Sequence, residues 1–224
     1  MLKRLFISLD LMVILPDGSQ RRLLDYLLPS AFLMAAAFLL IISIFLPYWQ
    51  MKMTAPQYPK GLYVNVYINH LDGDIREIDA LNHYLGMPPL DEGGRFERSI
   101  SFLAVAALGA LLIAGTFVGN QWAGVLALPA LAWPILFLAD LWRILYRYGH
   151  SIDPQSALGG AIDPFTPPIL GEGMVGQFGT VASFQPGIYL SLFACILILV
   201  GLWFHRRAYK PIADAHKRLS HITP

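Results

Sequence analysis

The chain has 224 residues, 56% hydrophobic and only 14% charged, with a formal net charge of +1 at pH 7. A charged fraction well below the roughly 25% of soluble domains, with the deficit gathered into a few long apolar runs, marks a bilayer protein. The near-neutral balance gives no basic field for nucleic acid, and the single cysteine, Cys195, excludes a disulfide framework and any CxxC metal or haem-attachment motif.

At the N-terminus, Asp10 interrupts an apolar run and no small-residue cleavage site follows it. Residues 2–15 therefore predict a short amphipathic segment on the cytoplasmic membrane face rather than a signal peptide, within an N-terminal segment 1–22. Four stretches then approach or exceed the roughly 20 apolar residues that a spanning helix needs. They predict spans at 23–49, 100–118, 122–145 and 188–204, followed by a tail at 205–224. Only Gly119, Asn120 and Gln121 separate the second span from the third, which makes a tight helical hairpin. Pro129 and Pro134 predict a kink in the third span, because each removes a backbone donor. Trp49, Trp122, Trp142 and Trp203 fall near span ends, where indole favours the interface, and Trp133 falls mid-span as a packing residue.

Basic residues set the orientation. Lys3, Arg4, Arg21 and Arg22 precede the first span, and Arg206, Arg207, Lys210, Lys217 and Arg218 follow the last. The intervening loop at 50–99 has more acidic than basic residues, and the loop at 146–187 has Arg147 against Asp153, Asp163 and Glu172. Both termini are thus expected in the cytoplasm and both long loops outside it.

In the first loop, Leu62, Val64, Val66 and Ile68 alternate with Tyr63, Asn65, Tyr67 and Asn69, which predicts a half-buried strand. Asp72-Gly73 reads as a turn. Asp74 with Glu77 resembles a capping box opening a helix from Ile75 to Leu85, and Gly86 suits the left-handed position that ends it. The second loop is rich in glycine and proline. It predicts little regular structure, lying as a cap packed by Ile162, Phe165, Ile169, Leu170 and Phe178. The expected fold is therefore an all-α membrane protein with four transmembrane helices and two long extracytoplasmic loops, the first holding a short strand and a short helix.

Three histidines, His205, His216 and His221, fall in the basic tail and read as solvated or headgroup-facing residues. The others, His70, His83 and His150, fall in the loops. His83 and Met87 have a His-x3-Met spacing, which across one helical turn could reach one ion, and His150 follows the third span. Imidazole and thioether together suit copper, Cu(I) above all, and Met51, Met53 and Met174 are further soft donors. The alternative is that the histidines are hydrogen-bonded structural residues and the methionines are packing. Asp140 and Arg143, three apart near the end of the third span, predict an ion pair, with a proton- or quinol-binding role as the alternative. Cys195 reads as a small packing residue. The chain has no Walker motif, no Gly-x-Ser-x-Gly, no His-Glu-x-x-His and no nucleophile–base pair, so no enzymatic activity is expected.

The strings Ala55-Pro-Gln-Tyr-Pro-Lys-Gly-Leu-Tyr, Leu81-Asn-His-Tyr-Leu-Gly-Met, Tyr148-Gly-His-Ser-Ile-Asp-Pro and Phe165-Thr-Pro-Pro-Ile-Leu-Gly resemble a group of bacterial membrane proteins. That group is associated with gene clusters for nitrous-oxide reductase maturation and copper handling. The resemblance covers most of residues 47–190. It implies the bacterial inner membrane, a periplasmic face concerned with copper or a copper enzyme, and His83, Met87 and His150 as the metal positions. The leading expectation is a membrane-anchored copper-binding or copper-delivery accessory protein. The alternative is a non-catalytic accessory subunit of a larger membrane complex (respiratory, photosynthetic or copper monooxygenase) whose loops are docking surfaces. Membrane lipid and a copper enzyme or larger complex are the expected partners. A transporter is disfavoured, because the spans show no internal symmetry.

Overall fold

The computed structural model describes residues 12–14, 20–55, 57–175 and 178–220. Most of the predicted amphipathic segment at 2–15 thus lies outside the described residues. The part inside, Met12–Ile14 (β1), pairs antiparallel with Gln20–Arg22 (β2).

Among the described residues, 61% are helical, and they include five α-helices. Four are long and apolar enough to cross a membrane, so the chain reads as a multi-pass membrane protein: Leu24–Ser43 (α1), Arg95–Gly115 (α3), Trp122–His150 (α4) and Pro186–Ser220 (α5). The fifth, Ile75–Leu85 (α2), is the short loop helix. An all-α description is incomplete, because the two long loops together build a five-stranded antiparallel sheet. Its strands are Trp49–Ala55 (β3), Tyr58–Val66 (β4), Leu71–Gly73 (β5), Gly171–Val175 (β6) and Phe178–Phe184 (β7), in the order β5-β4-β3-β7-β6.

The described residues fall into two compact units. One draws on the chain up to Leu40, on Ala107–Leu131 and on the chain from Phe193 onward. Its buried positions are largely small: Ala36, Ala37, Ala123, Ala127, Ala130 and Ala194. Small side chains let helix backbones approach closely where lipid supplies no hydrophobic driving force. Phe32 stacks on Phe204 at 5.6 Å. Cys195 is half-buried, with its Sγ 3.8 Å from the Ala130 and Leu131 carbonyls, and packs among apolar residues. Met34, Phe38, Phe117 and Leu199 are exposed, as lipid-facing side chains are.

The other unit comprises Ile41–Ala106 and Ala132–Leu192 and contains the sheet. The apolar run that predicted a first span out to Trp49 divides here. Helix α1 stops at Ser43, tight three-residue turns carry the chain through Ile44, Phe45 and Leu46, and Pro47 bars further helix. Trp49 is therefore no interfacial anchor. It opens the central strand and is 2% exposed. Along β3 the buried residues alternate as Trp49, Met51, Met53 and Ala55. On the opposite face the cross-strand pair Gln50 and Asn65 shares a 2.7 Å hydrogen bond, and Lys52 lies over the ring of its partner Tyr63.

The alternation predicted over 61–69 is realised in β4 only as far as Val66, with Leu62 and Val64 buried, and residues 67–70 leave the strand. The predicted turn at Asp72-Gly73 is instead the edge strand β5. The turn lies earlier, closed by Tyr67 N–H donating to the His70 carbonyl at 3.0 Å. Helix α2 has the predicted bounds, but Asp74 does not cap it. Its carboxylate accepts from the Tyr63 N–H at 2.8 Å, satisfying an edge donor where β5 ends. Gly86 adopts φ 75°, and a Cβ there would press on the Asp153 carbonyl at 2.6 Å. We expect Gly86→Ala to cost at least about 1–2 kcal/mol in thermal or chemical unfolding, from the left-handed backbone alone.

The second loop departs most from expectation. It contributes β6 and β7, and β7 pairs with β3 from Trp49↔Phe184 to Thr54↔Gly179. Phe178 is buried, Ile162, Phe165 and Ile169 pack against the core as predicted, and Leu170 is exposed. The Thr180 hydroxyl is buried without a partner among the described residues. Thr180→Val should leave unfolding unchanged or raise the midpoint, because it removes an unsatisfied polar group at equal shape.

Candidate functional site

The predicted metal positions part company where α2 ends. Ile78, Asn82 and Leu85, spaced i, i+4 and i+7, form the helix's buried stripe. His83 falls off that stripe and is exposed, its ring edge-on to Tyr84. The left-handed Gly86 turns the chain inward, and the Met87 N–H donates to the Asn82 carbonyl at 2.9 Å. Met87 is 6% exposed and packs with Met53, Ile78 and Leu85. His-x3-Met therefore does not share one helical turn. His150 ends α4, exposed, with its ring stacked on Tyr146 at 4.0 Å and its Nδ1–H donating to the Tyr146 carbonyl at 2.8 Å. His70 is likewise exposed, stacked on Tyr67 and bonded to Asn69. Among the described residues, no group of three or more His, Cys, Asp or Glu comes together to hold a metal.

What Met87 joins is a partly open pocket of about 80 Å³. Met51 and Met53, two apart on one face of β3, line it with Met87, Trp49, Val64 and Leu145. Its lining is almost wholly apolar. The polar exceptions are Asn82 and Tyr148, joined by the Asn82 Nδ2–H donating to the Tyr148 hydroxyl at 2.5 Å, and Arg98, which donates to the Gly93 and Asp91 carbonyls. Neither Asn82 nor Tyr148 was a sequence candidate. The signal for Asn82 was present as an amide on an otherwise apolar helix stripe.

The Asp140–Arg143 pair forms as its spacing predicted, at 2.7 Å, and the guanidinium also bonds Glu97 from α3. Both partners beyond the arginine are about a third exposed, so each contact contributes at most about 1 kcal/mol. Trp133 donates to the Tyr48 hydroxyl at 3.2 Å, which gives its predicted packing role a polar anchor.

A third feature is on the surface of the sheet-bearing unit. Leu85, Leu158, Ala161, Ile162, Phe165 and Met174, together with the carboxylate-bearing Asp163, line an open, mainly apolar groove of about 480 Å³. Met174 is 64% exposed and Leu158 42%, and the Leu158 N–H donates to the carbonyl of Tyr84, itself exposed. No protein-family model matches this chain, and no curated protein matches its sequence.

Proposed function

We propose that this chain is a non-catalytic accessory subunit of a larger membrane complex, with both termini in the cytoplasm and the sheet-bearing loops outside it as a docking module. The observation that carries this reading is the groove of Leu158, Ile162, Phe165 and Met174. It is built by the loops rather than by the spans, so lipid gives no reason for its apolar side chains to be exposed. A photo-activatable residue at Leu158 or Met174 in native membranes should cross-link to one partner protein, and one at exposed Lys60 on β4 should not. Equal labelling from all three positions, or none from any, overturns the reading.

Copper handling is the second reading, favoured by Met51, Met53 and Met87 lining one pocket. Three thioethers suit Cu(I), a soft ion, and the sequence resemblance points the same way. In this form the ligands are the methionines. Met51→Leu/Met53→Leu/Met87→Leu, which conserves volume, should abolish copper uptake after Cu(I) loading, whereas His83→Ala/His150→Ala should leave it unchanged. Loss in the histidine variant alone would return the metal to the exposed histidines. No copper in the unsubstituted protein removes this reading.

A further inference from the structure

The first unit carries a cleft of a different character, where the turn between α3 and α4 meets α5. It is open, about 630 Å³ in volume, and lined by Asn120, Gln121, His205, Arg206, Tyr209 and Lys210. None of the described residues lining it is acidic. Its geometry is pinned from three sides. The His205 Nε2–H donates to the Val118 carbonyl at 2.7 Å, which holds the turn against α5. The Asn120 side-chain oxygen accepts from the Trp122 N–H at 2.9 Å, which fixes the start of α4. The Tyr209 ring rests on Gly119, where an added Cβ would come within 3.1 Å.

The depth of the cleft follows from its surroundings. Trp122, on its rim, is 60% exposed, and Trp203, one turn before Arg207 on α5, is 58% exposed. The Arg207 guanidinium lies 5.8 Å from the Trp203 ring centroid. Toward the spans, Phe117 and Leu199 are exposed and apolar, and beyond them come Arg206, Arg207 and Lys210. Exposed indoles between an apolar band and a cationic band mark the headgroup layer. A cation-lined recess at that level, with no acidic group among its described lining residues, presents the positive charges of Arg206 and Lys210 and the side-chain amides of Asn120 and Gln121 to whatever enters it.

We infer that this cleft binds a phosphate-bearing anion, of the kind carried by an anionic phospholipid headgroup such as phosphatidylglycerol. Arg206 and Lys210, four residues apart, supply the charge. Arg206 also offers a planar fork of donors that matches phosphate oxygens. Tyr209 and the turn at Gly119–Gln121 wall the recess, so the anion is held at one place rather than spread over the basic helix.

The test uses the full-length protein in mild detergent, titrated separately with phosphatidylglycerol, with phosphatidylcholine of the same chains and with inorganic phosphate. Bound ligand is read by native mass spectrometry. Phosphatidylglycerol should bind saturably and phosphatidylcholine should not, and Arg206→Gln/Lys210→Gln should weaken binding roughly 10- to 30-fold, at about fivefold for each cation lost. Arg207→Gln, outside the cleft, should retain it. Inorganic phosphate that binds with the same dependence on Arg206 and Lys210 would keep the site and assign it to a free anion. Equal binding of both lipids, or equal loss in Arg207→Gln and the double variant, would mean diffuse attraction and overturn the site.

Discussion

Trp49→Ala should lower the stability of the sheet-bearing unit by about 3–5 kcal/mol, the range for truncating a buried large aromatic. Two losses add at this position. The indole is buried against Met51, Leu141, Leu145 and Ala182, so truncation leaves a void that a sheet strand cannot collapse to fill. Its Nε1–H also donates to the Ile169 carbonyl at 2.6 Å, which ties the second loop to the first across 120 residues of sequence. Without the indole that carbonyl loses its partner. Chemical unfolding in detergent, followed by circular dichroism and by protease cleavage within 150–185, measures the effect. A loss below about 1 kcal/mol would contradict the central placement of β3.

The second large effect separates two glycines of the same helix. The Gly149 carbonyl accepts from the Phe165 N–H at 3.1 Å, and an added Cβ would run into the Phe165 carbonyl oxygen. Because the obstacle is backbone, no rotamer relieves it. Gly149→Ala should cost about 3 kcal/mol, the upper part of the overpacking range, and should loosen Phe165 from the core it packs against. Gly124 has nothing within 4 Å of the equivalent position. Gly124→Ala should therefore be neutral or stabilising by up to about 1 kcal/mol, because alanine is the better helix former. Thermal unfolding of the two variants side by side checks the sign as well as the size. Equal behaviour would contradict the close approach of the second loop to the end of α4.

Much of this fold was legible from periodicity. The four apolar runs, the period of two in β4 and the Gly86 that ends α2 are local patterns, and local chemistry decides them. What the sequence hid depends on partners far along the chain. Strands β6 and β7 contain Gly171, Gly173 and Gly179, which argues for loop. They are strands because β3, from the other loop, supplies the hydrogen-bonding edge. The alternation of Phe178, Thr180 and Ala182 was the available clue. Asp74 and Glu77 have the spacing of a capping box, but the Tyr63 N–H, eleven residues back, takes the Asp74 carboxylate. The same limit applies to the candidate site. A His-x3-Met spacing brings two side chains together only if the helix runs through both. Gly86, correctly read as the end of that helix, sends Met87 into the core and leaves His83 outside.

The role as a docking subunit is tested most directly by the native size of the protein in extracts of its own membrane. Mild-detergent native electrophoresis should find the chain in one complex well above the mass of the chain and its micelle. Leu158→Asp/Met174→Asp should release it as a folded, lone chain with unchanged circular dichroism. A wild-type protein that migrates alone, or a complex that the double variant leaves intact, would contradict the account.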